Sequence, residues 1–222
     1  MTIKSKLYFS SLLIFTALMI GCGGIAKSYP ERAYFLFEVA PPTSPLTPVQ
    51  GATVKVRRFS ISPGSEGKQF IYRTTDIQYL SDFYNQFFRP PSIILTEAVT
   101  QWLDQAQVFE DVLNPLSQAF PEYFIEGNIV ELYGDYRNQS AAQAVMNIQF
   151  YLLQTSDDGD QPTIIFGKTY ESTKPIGTAT PQNLMNGWNL ALENILGEFL
   201  SDLSYHLKSA QQSLNNQSTN NN

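Results

Sequence analysis

An apolar stripe near the carboxyl end of the chain constrains the fold more than any other feature. Its six large side chains recur at steps of three and four residues over roughly five helical turns: Leu184, Trp188, Leu192, Ile195, Phe199 and Leu203. Thr180-Pro181 precedes the stripe, and it supplies a capping hydroxyl followed by a proline at the first helical position. A helix with so long an apolar face is stable only when a second layer covers that face.

Strands earlier in the chain are predicted to supply the covering layer. Residues 144–153 alternate in polarity, and the even-numbered positions are apolar: Met146, Ile148, Phe150 and Leu152. Further strands are predicted over residues 33–39, 53–61, 69–73, 123–136 and 163–171. Residues 69–73 are expected to return on residues 53–61 as a hairpin, across a turn at 63–67.

A second helix is predicted to begin at the double proline Pro90-Pro91, since proline is tolerated in the first turn. Its apolar stripe comprises Ile94, Leu95, Ala98, Val99, Trp102 and Leu103. The order of elements is then strands, helix, strands, helix. This order predicts an α+β fold with a mostly antiparallel sheet and two main helices packed on one face.

Five aromatic side chains lie just before that helix: Tyr79, Phe83, Tyr84, Phe87 and Phe88. On a helix they would form two adjacent rows, one through Tyr79, Phe83 and Phe87 and the other through Tyr84 and Phe88. The simpler interpretation is that one row is core. The alternative is an aromatic surface of the kind enriched at protein interfaces, so all five residues are a candidate partner surface.

The amino-terminal segment has the pattern of a secretory signal. Lys4 and Lys6 precede an apolar run over residues 7–20, and the run ends at Gly21-Cys22, which holds the sole cysteine. The run is shorter than the roughly 20 residues that a bilayer span needs. Gly21-Cys22 resembles a lipobox, which implies cleavage before Cys22 and acylation of its thiol. An ordinary signal peptide with an incidental Cys22 is the alternative.

Four segments follow from these patterns. Residues 1–21 are predicted to be a lipoprotein signal peptide and residues 22–32 a tether, and residues 33–208 are expected to form one α+β domain. Residues 209–222 are rich in Asn, Gln and Ser and are predicted to be a disordered polar tail.

Charge and composition exclude several functions. Of the 14 basic side chains, Lys4 and Lys6 leave with the signal, so 12 face 20 acidic ones and the net charge is −8. Such a chain is not expected to bind nucleic acid or anionic lipid headgroups through a basic patch. With Cys22 acylated and His206 the only histidine, disulfides, cysteine nucleophiles and Cys/His zinc sites are excluded within one chain.

No catalytic, cofactor-binding or metal-binding residue is predicted, and no cofactor is expected. A Ser-His-acid triad would have to use His206, which lies near a helix end where a surface histidine is ordinary. Asp157-Asp158-Gly159-Asp160 lacks the spacing of a calcium loop and is better explained as a solvated turn. The acidic pairs Glu110 with Asp111 and Glu126 with Glu131 show no sign of converging.

A further pattern joins the central segments into one motif. It consists of Val56-Arg57-Arg58-Phe59, Phe70-Ile71-Tyr72-Arg73, Tyr79, Asp82, Phe87 and Pro90, then the helix through Trp102-Leu103 to Phe109. The motif resembles the ABC-type transport auxiliary lipoproteins, which accompany transporters with an MCE-domain protein and move lipids across the cell envelope. The likeness covers residues 34 to about 203.

The resemblance implies a periplasmic accessory subunit that docks on an MCE-domain protein and ABC transporter subunits and has no catalytic residues. The membrane would be reached through acylated Cys22, and lipid and a second copy of the chain remain open as binding partners. Gly23 rather than Asp after the cysteine favours the outer membrane, by resemblance to Gram-negative sorting. The alternatives are a lipoprotein that activates a cell-wall synthase, and an envelope hydrolase that uses paired carboxylates.

Overall fold

The computed structural model describes residues 30–42, 49–156 and 161–220, and the second of its two compact units begins at Arg32. Cys22, the signal segment, residues 43–48 and the segment Asp157-Asp158-Gly159-Asp160 lie outside these ranges. Within the described ranges, neither helix combines the length and the hydropathy that a bilayer span requires.

Nine strands and two α-helices form the described part of the chain. The strands are β1 (Ala33–Phe35), β2 (Val49–Val56), β3 (Ser60–Ile61), β4 (Gln69–Arg73), β5 (Tyr79–Phe87), β6 (Phe109–Leu113), β7 (Tyr123–Asp135), β8 (Ala142–Gln154) and β9 (Thr163–Gly177). The helices are α1 (Pro91–Ala106) and α2 (Pro181–Asn220).

The long central strand β7 organises the sheet. On one side it pairs along its length with β8, which pairs in turn with β9, and both ladders are antiparallel. On its other side β7 receives three short parallel partners in succession, namely β2, β3 and β4. Beyond them, β6 lies parallel to β2, β5 antiparallel to β4, and β1 parallel to β5. The α+β class is confirmed, and the two longest ladders are the antiparallel ones.

The predicted hairpin between residues 53–61 and 69–73 is wrong. β4 forms its hairpin with β5 instead, across a turn in which the N–H of Thr74 donates to the carbonyl of Gln78 at 3.0 Å. The strands β2 and β3 pair with β7 and not with β4. Between them, the N–H of Arg57 donates to the carbonyl of Ile125 in β7 at 2.8 Å. The turn at 63–67 therefore links two strands that both run parallel to β7.

The core lies where the two periodic patterns meet. The even-numbered residues 146–152 of β8 and all six residues of the α2 stripe are fully buried, as predicted. Phe150 stacks on Phe199 with ring centroids 4.3 Å apart, and Trp188 Nε1 donates to the carbonyl of Val145 at 3.2 Å. α1 contributes its own stripe to the same cluster, so the sheet and both helices share one core.

Both helix starts match the sequence, but the end of α2 does not. Thr180 Oγ1 accepts a hydrogen bond from the N–H of Asn183 at 3.2 Å, and Pro91 occupies the first position of α1. The segment predicted to be disordered from residue 209 continues the helix through Asn220. It contains neither proline nor glycine, so no residue in it interrupts the helical hydrogen bonding.

Candidate interaction surface

The aromatic segment before α1 is a strand and not a helix, so the two predicted helical rows do not exist. Tyr79 and Leu80 of β5 lie opposite Arg73 and Tyr72 of β4, and Phe87 lies beside Phe35 of β1. Aromatic side chains suit strands at least as well as helices. Because both edges of β5 find partners, sheet pairing outweighs the helical spacing of the aromatic residues.

A bulge interrupts β5 and turns its middle outward. Gln69 pairs with Gln86 and Ile71 pairs with Ser81, so a single residue of β4 faces residues 82–85 of β5. The carboxylate of Asp82 holds this bulge together. Its Oδ1 accepts hydrogen bonds from the N–H groups of Tyr84 and Asn85, at 2.8 and 3.0 Å.

The second carboxylate oxygen of Asp82 ties the bulge to β4. It accepts from Tyr72 Oη at 2.7 Å and from Asn85 Nδ2 at 2.8 Å. Burial alone would raise the pKa of Asp82, but the hydrogen bonds from Tyr72, Asn85 and the two backbone N–H groups lower it overall. Asp82 is therefore an anion at neutral pH, held by four donors.

The two tyrosines around Asp82 remain protonated, and Tyr72 is the one that donates to it. Burial, the hydrogen bond to Asp82 and the negative charge of Asp82 all raise the pKa of Tyr72. Tyr136 stacks on Tyr72 with centroids 4.8 Å apart, and burial together with the Asp82 charge raises the pKa of Tyr136 to about 12. Two members of the sequence motif, Tyr72 and Asp82, thus shape the bulge.

Two groups of side chains lie at and beside the bulge, and their five residues together are called here the bulge cluster: Arg32, Tyr34, Phe83, Tyr84 and Phe88. The guanidinium carbon of Arg32 lies 4.0 Å from the ring centroid of Phe83. The rings of Phe83 and Tyr84 meet edge to face, with centroids 5.3 Å apart. Tyr34 and Phe88 meet edge to face at 6.4 Å. Tyr34, Phe83 and Phe88 are 51%, 57% and 55% exposed, so the cluster is an open aromatic surface.

Tyr79 belongs to a separate surface, called here the Tyr79 groove and lined by Ile71, Tyr79, Leu80, Val130 and Tyr133. Its volume is about 500 Å³, and the turn at residues 62–65 forms one wall. Tyr79 meets Tyr133 edge to face at 5.6 Å and lies 5.7 Å from the guanidinium of Arg73. Tyr79 and Leu80 are each about half exposed.

Phe87 does not belong to any surface. Only 2% of it is exposed, and its ring lies 4.8 Å from Phe70, 5.4 Å from Trp188 and 5.6 Å from Phe37. Its inclusion in the candidate partner surface is therefore wrong, because the pleat of β5 points it into the core. The other four residues of that prediction are exposed.

Sequence reasoning missed Arg32 and Tyr34. They join the cluster only because β1 lies parallel to β5, with Ala33 opposite Asn85 and Tyr34 opposite Gln86. A strand of three residues that pairs with a segment more than 50 positions away leaves no local signal in the sequence. The tyrosine itself was part of a predicted strand, but its neighbours were not predictable.

The residues weighed for catalysis have ordinary structural partners. His206 stacks on Phe166 with centroids 4.4 Å apart, Glu126 pairs with Arg57, and Glu131 accepts a hydrogen bond from Asn147. Shifted carboxyl pKa values in the described part of the chain are all lowered, at Asp82, Glu122, Asp135 and Asp202. The hydrolase hypothesis requires raised values, so these four residues do not support it.

Among residues 30–42, 49–156 and 161–220, His, Cys, Asp and Glu side chains form no group of three or more that could hold an ion. The loop weighed for calcium lies outside those ranges.

Comparison with known proteins identifies the fold. A crystal structure of a Xanthomonas campestris protein of the DUF330 family superposes with a TM-score of 0.70 at 15% sequence identity, over 81% of this chain and 99% of that one. The crystal structure of an uncharacterized protein has a TM-score of 0.55 at 13% identity, over 76% and 99% of the two chains.

Neither a family model nor a curated protein matches the sequence. At identities of 15% and 13%, the two superpositions show a shared fold and do not extend to function.

Proposed function

We propose that this chain is a membrane-anchored periplasmic accessory lipoprotein of an ABC-type, MCE-associated lipid transport system, and that it acts by binding and docking. The main support for the proposal is the position that the residues of the sequence motif take in the fold. Tyr72 and Asp82 build the bulge, Phe87 anchors β5 in the core, and Tyr79 forms the wall of an exposed groove.

The remaining motif residues support the same scaffold. Trp102 Nε1 donates to the carbonyl of Ala40 at 3.0 Å, which fixes the segment after β1 against α1. Phe109 is buried beside Tyr123, with centroids 6.0 Å apart. The motif thus supports the presentation of surfaces and not a reaction centre, and exposed apolar surfaces on a folded domain typically mark interaction sites.

The proposed anchor is the acylated thiol of Cys22. Each buried methylene of an acyl chain contributes about 0.8 kcal/mol to membrane binding, and several chains anchor a protein stably. Gly23 after the cysteine favours the outer membrane.

Replacing the acylated residue tests the anchor. The Cys22→Ser variant is expected to move from the membrane fraction to the soluble periplasmic fraction, because the acceptor for every thioether-linked acyl chain is gone. Fractionation with an antibody against the chain measures this, and Gly23→Ala serves as the matched neighbouring control. A Cys22→Ser variant that still sediments with membranes would contradict the anchor.

The Tyr79 groove is proposed to receive the MCE-domain partner. It holds two half-exposed apolar side chains, Tyr79 and Leu80, beside the positive charge of Arg73. Aromatic side chains and arginine are the residues most enriched in the buried centres of protein interfaces.

A crosslinking experiment tests this docking. The double variant Tyr79→Ser, Leu80→Ser is expected to lose at least about tenfold in recovered MCE-domain protein after mild crosslinking in cells. The control is Ile164→Ser, which removes an apolar side chain that is 62% exposed on β9. Recovery of a cell-wall synthase in place of a transporter subunit from the wild type would overturn the transport proposal.

A further inference from the structure

We infer that the bulge cluster contacts the phospholipid surface to which the chain is anchored, so that the domain rests on the membrane in one orientation. The inference rests on the proposed anchor at Cys22 and goes beyond it. An anchor alone limits the distance between the domain and the membrane, but it does not set the orientation of the domain. The cluster comprises Arg32, Tyr34, Phe83, Tyr84 and Phe88, and it lies where the second compact unit begins.

The length of the tether limits how far this surface can lie from the bilayer. Ten peptide units separate Cys22 from Arg32, and a chain of that length spans at most roughly 33–36 Å when fully extended. A tether that is not fully extended brings Arg32 closer still. Since Arg32 itself lies over Phe83, the residue at which the second compact unit begins belongs to the cluster.

The chemistry of the cluster fits the interface between lipid headgroups and acyl chains. Tyrosine and other aromatic side chains favour that depth, where the ring meets the hydrocarbon and polar atoms stay hydrated. Arginine and lysine pair with lipid phosphates while their stems lie along apolar neighbours. Arg32 covers Phe83, and Lys68 Nζ lies 5.9 Å from the ring of Tyr34, so both cations sit among the exposed rings.

These two cations stand out against the charge of the chain. The predicted mature chain carries a net charge of −8, and general attraction to anionic lipid is therefore not expected. At the bulge cluster the two cations lie among four aromatic rings, and the ionised Asp82 is held within the bulge by its own hydrogen bonds. Contact through this surface is therefore expected to come mainly from the aromatic rings, with Arg32 and Lys68 meeting lipid phosphates.

The cluster is held in place before any contact is made. Asp82 fixes the bulge through four hydrogen bonds, and the N–H of Phe88 donates to the carbonyl of Phe35 at 2.8 Å. The segment after β1 is fixed as well, because the N–H of Glu38 donates to Asn189 of α2 at 3.2 Å. A preorganised surface loses little conformational entropy when it binds.

Tryptophan quenching in vesicles tests the contact. The two native tryptophans are buried, at 0% exposure for Trp188 and 5% for Trp102, so they provide a constant background. The acylated Phe83→Trp and Phe88→Trp variants are reconstituted in vesicles of phosphatidylethanolamine and phosphatidylglycerol that contain brominated acyl chains. We expect the emission of each introduced tryptophan to shift to shorter wavelength and to be quenched by the bromine atoms.

The matched control is Phe120→Trp, because Phe120 is 92% exposed and precedes β7. Phe120 therefore lies near the first residues of β7. The strand β4, which pairs with β5, meets β7 at Gly134 and Asp135, near the last residues of β7 and roughly 35 Å from its first residues along the strand. The emission of this control is expected to be the same in brominated and unbrominated vesicles.

Each outcome separates the inference from the proposed anchor. Acylated variants that float with the vesicles but show no more quenching at positions 83 and 88 than at 120 would overturn the inference and leave the anchor intact. Failure of the wild-type chain to float would overturn the anchor itself. If Phe83→Ser with Phe88→Ser abolished recovery of a protein partner, and the introduced tryptophans were not quenched, the cluster would be a protein-docking surface and the inference wrong.

Discussion

Replacing Phe87 by alanine is expected to lower the free energy of unfolding by about 3–5 kcal/mol, the range for large aromatic residues truncated in a core. The ring is 2% exposed and lies within 6 Å of three other aromatic rings, those of Phe37, Phe70 and Trp188. Its loss leaves a cavity that these rings cannot fill without breaking their own contacts. Urea unfolding, followed by the emission of the buried Trp188, measures the change.

The neighbouring residue is the natural control for this experiment. Phe88 is 55% exposed and belongs to the bulge cluster, so Phe88→Ala is expected to cost less than about 1 kcal/mol. Equal destabilisation by the two substitutions would show that Phe87 is not the anchor of β5. The pair also separates the fold from the proposed membrane contact, because only Phe88 is expected to matter for the latter.

Gly187→Ala is expected to destabilise the domain by about 2 kcal/mol, although alanine is the better helix former. A β-carbon at position 187 would lie 2.5 Å from Ile176 Cγ2 and 2.7 Å from Ala144 Cβ. Ala144 has no rotatable bond with which to move aside. The helix α2 would therefore have to lift from β8 and β9, and thermal or urea unfolding would record the loss.

A second glycine of the same helix supplies the opposite expectation. Nothing lies within 4 Å of a β-carbon placed on Gly197. Gly197→Ala is therefore expected to stabilise the domain by about 0.5–1 kcal/mol, through helix propensity and a less disordered unfolded state. If both substitutions changed stability in the same direction, close approach of α2 to the sheet would not explain Gly187.

Periodic segments with one buried face were predictable from the sequence. The α2 stripe specifies its own burial through its helical period, and so does the even-numbered face of β8, since a one-residue slip of a strand turns its apolar side chains to the other face. The starts of both helices followed from Thr180-Pro181 and Pro91, where capping chemistry is local. These elements needed no knowledge of distant partners.

The β5 region was not predictable in the same way. Tyr79, Phe83 and Phe87 repeat at a spacing of four, which is the signature of a helical row, yet they lie on a strand. The conflict arises because a bulge shifts the alternation in β5, and the bulge depends on hydrogen bonds between Asp82 and Tyr72 in another strand. Pairing between β1 and β5, which completes the cluster, is equally nonlocal.

The three short strands that share one side of β7 have a consequence for the order of folding. β2, β3 and β4 all precede β7 in the chain, and Arg57 meets Glu126 across a sequence separation of 69 residues. None of them can complete its pairing until residues 123–135 are available. Such long-range pairing slows folding and leaves strand edges exposed for longer. In a chain that emerges amino terminus first, the strands nearest to the proposed anchor would thus not complete their pairing until β7 has emerged.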